Sequence, residues 1–246
     1  SHYINSQTTQ LSSETRADGN LNIQAGRDLT AIASRVQSGK DMQLIAGNDL
    51  KLVSAANESH HYSKSKKRTS QRDQVRQVDT EVNSGGQFTA VAGQDLTLVS
   101  SSVVANDEAY LVAGGKVQLL AEQDYDYSFS EKKKKGSFGR KNYRMSESDN
   151  STAVVSSIQA GIDLLMHGAE AIVSQGAQLQ AEHHLELQSD GDILLLAAEN
   201  NNRHASAKSK SGLLSSKGKT SSQSQTQIVG TTVDAGSILI VAGQDL

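Results

Sequence analysis

The chain has 246 residues, with 24 basic and 27 acidic side chains and a formal net charge of −3. It contains no cysteine, proline or tryptophan, and only 4% of its residues are aromatic, so disulfides and thiolate chemistry are excluded. Its core must therefore be filled by Leu, Ile, Val and Ala rather than by large aromatic side chains. No apolar run approaches the roughly 20 residues that an α-helix needs to cross a bilayer.

A ten-residue phrase recurs along the chain in close copies. The copies read AGRDLTAIAS at 25–34, AGNDLKLVSA at 46–55, AGQDLTLVSS at 92–101 and AGIDLLMHGA at 160–169, and AGQDL closes the chain. Aligned on the phrase glycine, which a Glu replaces once, the repeats fall at Gly26, Gly47, Gly93, Gly114, Gly161, Glu182 and Gly243. Short intervals alternate with longer ones, which predicts a repeat of about 21 residues interrupted by inserted segments. Because the last copy is cut short, we expect the chain to be a piece of a longer protein.

Two short apolar runs lie on either side of the phrase glycine. Apolar and polar residues alternate within these runs, which place apolar residues at Met42, Leu44, Leu50, Leu52, Leu96 and Leu98. Alternation with a period of two indicates strands with one buried face, and the Gly and Asp between the runs indicate turns. Two strands in every repeat, stacked about 4.8 Å from those of the next repeat, predict an all-β fold, a β-solenoid over residues 1–246.

The Gly-x-Asp turns have a structural interpretation. An Asp side chain that accepts the backbone N–H two residues further on stabilises a turn. We assign structural turns to Gly26, Asp28, Gly47, Asp49, Gly93, Asp95, Gly161, Asp163, Gly243 and Asp245. Calcium-binding solenoids carry Gly-Gly-x-Gly-x-Asp at a nine-residue period, which this chain does not match. The adjacent pairs His60–His61 and His183–His184 would point to opposite faces of a strand, so we expect no metal ion and no cofactor.

Three polar segments interrupt the repeat, near residues 57–84, 123–157 and 199–231. Each has a polar outgoing arm, a Lys-rich middle and a return arm rich in Ser, Thr and Gln. Tyr125, Tyr127 and Phe129 alternate with polar residues in the second segment, which favours extended antiparallel hairpins over disorder. Residues 1–18 resemble the return arm of a preceding insertion.

Basic residues are concentrated in the insertions. The windows 60–76, 131–144 and 203–219 hold 18 of the 24 Lys and Arg residues but only two acidic ones, so the rest of the chain is strongly acidic. Such arms are candidates for binding phosphate, heparin-like glycans or anionic lipid headgroups; the alternative is that they are solubilising hairpin tips. The candidate residues are Lys64, Lys66, Lys67, Arg68, Lys132, Lys133, Lys134, Lys135, Arg140, Lys141, Lys208, Lys210, Lys217 and Lys219. Phe138 and Tyr143 beside the basic run would suit nucleic acid, but the acidic body argues against a nucleic-acid partner.

No catalytic arrangement stands out in the sequence. Glycosidases use a pair of convergent carboxylates, whereas the acidic residues of this chain show no cluster apart from the predicted turns. No Gly-x-Ser-x-Gly motif and no paired His and Asp accompany the abundant serines. We therefore expect that the chain is not an enzyme, and a carbohydrate-active β-helix is kept as a remote alternative.

The combination of motifs resembles a known family. Coils of the form AGxDLxLxA, interrupted at regular intervals by segments that begin AEN or AEQ and contain Lys runs, resemble filamentous haemagglutinin repeats. They are most similar to the second haemagglutinin-repeat region of two-partner secretion exoproteins, especially contact-dependent growth inhibition effectors. The resemblance covers essentially the whole chain and implies a right-handed parallel β-helix. Gly115-Lys116-Val117 lacks the phrase Asp, and the coil at Glu182 lacks the Gly, which departs from the pattern.

The resemblance also implies a function. The parent protein would be a large exoprotein that leaves a Gram-negative cell through an outer-membrane transporter. In growth inhibition effectors the comparable region precedes a C-terminal toxin, is held in the periplasm until receptor contact, and then associates with the target-cell outer membrane or its lipopolysaccharide. We expect a secreted, cell-surface, non-catalytic translocation module whose isolated fragment is monomeric. The alternative is an adhesin shaft that binds glycans or host surfaces.

Overall fold

The computed structural model describes residues 1–137, 139–212 and 214–246. Over these ranges the chain is all β, and it contains no helix that could cross a membrane. In chain order the strands are β1 (His2–Thr8), β2 (Glu14–Ala17), β3 (Leu21–Ala25), β4 (Leu29–Ile32), β5 (Arg35–Ser38), β6 (Met42–Ala46), β7 (Leu50–Val53), β8 (Ala55–Lys64), β9 (Arg68–Val78), β10 (Glu81–Ser84), β11 (Phe88–Ala92), β12 (Leu96–Val99), β13 (Ser102–Ala105), β14 (Ala109–Ala113), β15 (Lys116–Leu120), β16 (Glu122–Lys135), β17 (Lys141–Val154), β18 (Ser157–Ala160), β19 (Asp163–Gly168), β20 (Ala171–Gln175), β21 (Gln178–Ala181), β22 (His184–Ser189), β23 (Asp192–Leu196), β24 (Ala198–Ser211), β25 (Ser216–Val229), β26 (Thr232–Asp234) and β27 (Ser237–Ala242).

Three parallel sheets form the body, and the chain visits them in a fixed order. The first sheet contains β2, β5, β10, β13, β18, β21 and β26, the second contains β3, β6, β11, β14, β19, β22 and β27, and the third contains β4, β7, β12, β15, β20 and β23. Each successive coil adds one strand to each sheet, as in a β-solenoid. The sequence predicts two strands per coil, whereas the structure has three. The missed strands, those of the first sheet, place at most one large apolar residue inward, as Val82 beside the small Ser84 in β10, so their apolar alternation is a weak signal.

Equivalent residues of successive coils stack in register. Leu29 pairs with Leu50 of the next coil, and Leu50 in turn pairs with Leu96 across the first insertion. The predicted alternation is confirmed, since the inward residues Met42, Leu44, Leu50, Leu52, Leu96 and Leu98 are all buried. Among the described residues, the interior consists of columns of aliphatic side chains with one large aromatic residue, Phe88. Full burial of each such Leu stabilises the fold by about 1.5–3 kcal/mol.

The corner between the third and first sheets alternates between two forms. After β4, β12 and β20 it is a two-residue link whose first residue has a positive φ, as in Ala33 (44°), Ser100 (44°) and Gly176 (69°). After β7, β15 and β23 the same corner opens into a long antiparallel hairpin. Hairpins therefore leave the body from one corner, on every second coil.

The three hairpins do not project separately. Within each hairpin, β8 pairs with β9, β16 with β17 and β24 with β25. The hairpins also pair with one another, because β9 bonds to β16 and β17 bonds to β24. With β1 at one edge they form a seven-stranded antiparallel sheet in the order β1-β8-β9-β16-β17-β24-β25.

The bounds of these hairpins differ from the insertions expected at 57–84, 123–157 and 199–231. Antiparallel pairing covers 55–78, 122–154 and 198–229. The ends shift because the short strands that follow, such as β10 and β18, already belong to the first parallel sheet. Within residues 1–18, β1 lies in the antiparallel sheet, whereas β2 is a strand of the solenoid.

Glycine allows close stacking at the corner between the second and third sheets. A Cβ on Gly47 would overlap the carbonyl oxygen of Gly26 in the preceding coil, and one on Gly93 would overlap that of Gly47. A Cβ on Gly26 would meet no atom within 4 Å. A backbone oxygen held in a parallel ladder cannot move aside as a flexible side chain can, so a side chain at Gly47 or Gly93 would force the coils apart.

We predict that Gly47→Ala destabilises the chain by about 1–3 kcal/mol, the usual effect of overpacking. Gly26→Ala is the matched control, because it stands at the equivalent position with open space, and we expect a change within about 0.5 kcal/mol. Urea unfolding followed by circular dichroism measures both. Equal effects of the two substitutions would contradict the close approach of the coils.

Candidate anion-binding site

The antiparallel sheet has two chemically different faces. Alternate residues of a strand point to opposite faces, and cross-strand partners share one. On one face the side-chain amide of Gln74 donates to Asp126 at 2.9 Å, and on the other the Tyr127 hydroxyl donates to Glu147 at 3.4 Å. We call the face that contains Gln74 and Asp126 the polar face, and the face that contains Tyr127 and Glu147 the aromatic face.

Five cations form one row across the polar face, and we call them the cation row. The register pairs Arg68 with Lys132, Lys132 with Arg144, Arg144 with Lys208 and Lys208 with Lys219. Each residue comes from a different strand, β9, β16, β17, β24 or β25, and all five are exposed. Three hairpins thus contribute to one line of positive charge.

Three more cations lie further out on the same face. Lys134, Lys210 and Lys217 occupy the next row, two residues beyond the cation row. They line a concavity of about 580 Å³ between the ends of the second and third hairpins. A smaller concavity of about 90 Å³ connects Lys134 to Lys132 and Arg144 of the cation row.

A row of hydroxyl groups lies on the other side of the cation row, toward the solenoid. We call it the serine row; its members are Ser63, Ser70, Ser130, Ser146, Ser206 and Ser221. Three of these serines, with His61 and Arg72, line a concavity of about 540 Å³. Donors and cations therefore adjoin one another on the polar face.

Four of the other predicted cations, Lys64, Lys133, Lys135 and Lys141, lie on the aromatic face, as does Arg203 of β24. Lys133 Nζ lies 2.8 Å from the Glu131 carboxylate and 6.0 Å from the centre of the Tyr143 ring. The hydrogen bond to Glu131 raises the pKa of Lys133. On this face a cation is therefore paired with a carboxylate of the same strand.

The expected stripe of Tyr125, Tyr127 and Phe129 lies on the aromatic face, where all three are half-buried. Desolvation, followed by the charges of Asp149 and Glu147, raises the pKa of Tyr125 and Tyr127 respectively. These phenols stay neutral at ordinary pH, so they give this face an apolar surface with polar tips.

Three predicted residues lie in hairpin turns rather than on strands: Lys66, Lys67 and Arg140. Phe138, considered beside Tyr143 for nucleic-acid binding, lies outside the described residues. Arg144 was missed as an individual candidate, as was the serine row. Arg144 could have been found by pairing residues that lie at equal distances from the centre of the second hairpin, because this pairing places Arg144 opposite Lys132.

The bases of neighbouring hairpins are joined by a recurring hydrogen bond. A side-chain oxygen of Asn57, Asp124 or Asn200 accepts the backbone N–H of Gln10, Gln77 or Ala153 at 2.6–2.7 Å. Each bond reaches from one outgoing arm back to the return arm of the preceding hairpin, so the junctions resemble one another although the hairpin lengths differ.

An exposed ion-pair cluster strengthens the junction of the first two hairpins. Arg76 Nη2 lies 2.5 Å from Asp126, and Arg76 Nε lies 3.8 Å from Asp124. The hydrogen bond from Gln74, and then that from Arg76, hold the pKa of Asp126 below its ordinary value of 3.8. The ionised carboxylate is therefore the form that fits the folded sheet.

The Asp residues of the repeat bond to the next coil rather than within their own turn. Asp28, Asp49 and Asp95 accept the N–H of Asp49, Asp95 and Lys116 at 3.4, 3.4 and 2.8 Å. Asp192 accepts the N–H of Asp245, which follows Gly243, at 3.1 Å. These bonds join coils at the same corner that needs glycine.

Gly161 and Asp163 lie at a different corner from the other predicted turn residues. Gly161 follows β18 of the first sheet, and its N–H bonds to the carbonyl of Ala105. Asp163 accepts the N–H of His184 in the next coil. The phrase at 160–169 therefore lies one corner earlier in its coil than the other copies. The sequence alone does not distinguish the two corners, because glycine allows close stacking at both.

In the part of the chain that the structure describes, no group of three or more His, Cys, Asp or Glu side chains is placed to hold a metal ion. The groups that converge on the antiparallel sheet are cations and hydroxyls, which suit an anionic ligand. The polar face is therefore a candidate binding surface for an anionic ligand.

Family comparison agrees with this architecture. The model of the hemagglutinin repeat family matches residues 1–72, 61–137 and 136–237, so the chain belongs to that family. It is also 29% identical over 256 aligned residues to a tRNA nuclease CdiA of Escherichia coli strain STEC_O31. That alignment covers 93% of this chain but only 8% of the relative, so the chain corresponds to a small part of a very large protein. No solved structure matches the chain significantly.

We predict that the junction of the first two hairpins is acid-sensitive. The pKa of Asp126 is lowered by folding, so its stabilisation is present above the ordinary pKa and is lost as the pH falls below 3.8 through the folded value. Asp126→Asn should lower stability at pH 7 by at most about 1 kcal/mol, since the pair is exposed, and should weaken the acid dependence.

Unfolding midpoints in urea between pH 7 and pH 3 measure this effect. Asp107→Asn, at an exposed carboxylate on a corner of the solenoid, removes the same charge outside the hairpin junction and is the matched control. The same acid dependence in the Asp126→Asn variant as in the parent chain would contradict the assignment.

Proposed function

We propose that the chain is a non-catalytic translocation module of a secreted contact-dependent growth inhibition effector. It helps to deliver a C-terminal toxin across the outer membrane of a target cell. The observation that carries the proposal is that a solenoid of the hemagglutinin repeat family presents a row of exposed cations on a sheet assembled from its insertions.

The body is a right-handed parallel β-helix with a coil of about 21 residues, within the range of other solenoid repeats. Asp28 and Asp49, which are hydrogen-bonded across successive coils, stand 21 positions apart in the sequence, and this supports the coil length. Connections between parallel strands of one sheet are right-handed in about 98% of cases, which supports the handedness. Each coil contacts only its neighbours, so stacking can proceed coil by coil as the chain emerges from a transporter.

The relative is named a tRNA nuclease, but only 8% of its length aligns with this chain. The nuclease activity therefore belongs to that protein, and we assign this chain a structural role. The whole exoprotein would leave the producing cell through the outer-membrane transporter of a two-partner secretion system. The exoprotein would be held in the periplasm until receptor contact. The module, when isolated from the exoprotein, is monomeric.

The antiparallel sheet is the part that meets the target cell. Anionic headgroups or lipopolysaccharide phosphates attract each nearby Lys or Arg with about 1 kcal/mol. Candidate contacts are the cations of the polar face and of the hairpin turns.

A second candidate function is an adhesin shaft. Family membership supports it equally well, because the matched repeats are named for haemagglutination. In that role the cations would bind sulfated or phosphorylated glycans of a host surface, and no toxin would be delivered.

We predict that the hairpins can be removed without loss of the solenoid. The two-residue links Ala33–Ser34, Ser100–Ser101 and Gly176–Ala177 show how this corner closes without an insertion. Residues 54–80, 121–156 and 197–231 of the full-length parent protein would each be replaced by Gly-Ser. Export and surface display should persist, whereas growth inhibition of target cells should be lost.

Co-culture competition, with surface labelling as the control, measures both properties. Growth inhibition that persists without the hairpins would overturn the translocation role. Loss of cell attachment alone, with no toxin activity in either version, would favour the adhesin.

A further inference from the structure

We infer that the polar face of the antiparallel sheet is a binding surface for a headgroup that carries several neighbouring phosphate groups. The inference rests on the proposed function, in which the sheet meets an anionic surface, and it specifies the face, the residues and the ligand chemistry. The cation row supplies the main contacts, and the serine row supplies additional hydrogen-bond donors.

The register sets the spacing of the charges. Neighbouring strands lie about 4.8 Å apart, so the five members of the cation row span about 19 Å. Lys134, Lys210 and Lys217 lie one row out, about 6.8 Å further along the strands, with Asn142 between Lys134 and Lys210. The polar face therefore offers two adjacent rows of cations rather than isolated positive tips.

These two rows are not neutralised by the protein. Among the described residues, no carboxylate lies within 4.0 Å of a side-chain nitrogen of the cation row or of Lys134, Lys210 and Lys217. Like charges directly opposite on neighbouring strands destabilise a sheet, and four such contacts occur along the cation row. An anion that bridges the strands would remove this repulsion and stabilise the folded sheet.

The density of the two rows selects the ligand. One cation occupies about 33 Å² where both rows are filled, from about 4.8 Å between strands and about 6.8 Å between rows. A headgroup with a single charge supplies one phosphate group, whereas a headgroup with several phosphate groups can contact several neighbouring cations at once. Phosphate groups that neighbour one another in one headgroup match the spacing.

The side chains around the cations suit phosphate. Arg68 and Arg144 can each bind phosphate oxygens through two parallel N–H bonds, as guanidinium groups do. The hydroxyls of Ser70, Ser130 and Ser146 line the concavity of about 540 Å³ beside Arg68, and each hydroxyl can donate to a further phosphate oxygen. A sheet face without acidic side chains near these positions leaves the phosphates no repulsive neighbour.

The aromatic face provides a matched control within the same sheet. Lys64, Lys133 and Arg203 lie on it. Lys135 and Lys141 also lie on it, but they line the concavity of about 580 Å³ together with Lys134, Lys210 and Lys217, so they are left out of the control. The aromatic-face cations form no comparable row, because Thr69, Glu131, Met145, Ala207 and Thr220 lie behind the polar-face cations on the aromatic side. Substituting three cations on the aromatic face changes the net charge as much as substituting three members of the cation row.

The test compares two triple variants of the 246-residue chain. One carries Lys132→Gln, Arg144→Gln and Lys208→Gln, and the other carries Lys64→Gln, Lys133→Gln and Arg203→Gln. Binding is measured by flotation and surface plasmon resonance on vesicles that contain lipopolysaccharide, before and after enzymatic dephosphorylation. Phosphatidylglycerol vesicles with the same surface potential are included.

We expect the cation-row variant to lose about 100-fold in affinity for the phosphorylated vesicles, since three contacts of about 1 kcal/mol each are removed. The aromatic-face variant should lose less than about tenfold, and dephosphorylation should weaken the parent chain as the cation-row substitutions do. The cation-row variant should also resist unfolding better than the parent chain, because repulsion between neighbouring strands is relieved; this result shows that it is folded.

Equal losses in the two variants, or binding to phosphatidylglycerol as tight as to lipopolysaccharide, would overturn the inference while leaving general attraction to an anionic surface intact. No binding of the parent chain to either vesicle would contradict the proposed function itself. Tight binding to soluble inorganic polyphosphate but not to vesicles would overturn the headgroup as the source of the phosphates.

Discussion

The equal spacing of strands in the two kinds of sheet is the constraint on which the rest of this structure depends. Two coils of the solenoid rise about 9.6 Å along its axis, and a two-stranded hairpin is about 9.6 Å wide, because both repeat at about 4.8 Å per strand. Hairpins that leave from the same corner on every second coil therefore tile edge to edge. A hairpin on every coil would leave no room, and one on every third coil would leave a gap.

The solenoid maintains this constraint at its corners. The carboxylates of Asp28, Asp49 and Asp95 each bond to the backbone of the next coil, and glycine beside them lets the backbones approach closely. At the corner between the third and first sheets, the coils without an insertion turn through a two-residue link whose first residue has a positive φ, such as Ala33. The spacing of the coils in the body therefore sets the spacing of the hairpins, and with it the register of the antiparallel sheet. The cation row exists only because this register brings residues from five strands into line.

The sequence predicts the parts of the fold that are encoded locally. Alternation at Leu50 and Leu52 identifies strands, the phrase glycines identify the period, and the Lys-rich insertions identify the hairpins. The sequence does not reveal the third strand of each coil, because runs such as β10 place at most one large apolar residue inward. Gly161 was aligned with Gly114, although it lies one corner earlier, because both corners select glycine.

The candidate site illustrates a different limit. The sequence identifies Lys132, Lys208 and Lys219 as candidates because basic residues are concentrated in the insertions, but it assigns all of these basic residues the same role. Only the pairing between hairpins separates them from Lys133 and Lys135 on the aromatic face. Such pairing joins residues that are far apart in the chain and leaves no periodic trace in the sequence, whereas the pairing within a hairpin can be counted from its turn.

The lateral pairing of the hairpins can be measured directly, because the chain has no cysteine of its own. Ser146 and Ser206 are cross-strand partners in different hairpins, and antiparallel partners have Cα separations that a disulfide can bridge. Under mild oxidation the Ser146→Cys, Ser206→Cys variant should form an intramolecular disulfide quantitatively. The Ser146→Cys, Ala207→Cys variant, with the second cysteine on the opposite face, should not. Equal cross-linking of both variants, or of neither, would contradict a single continuous sheet.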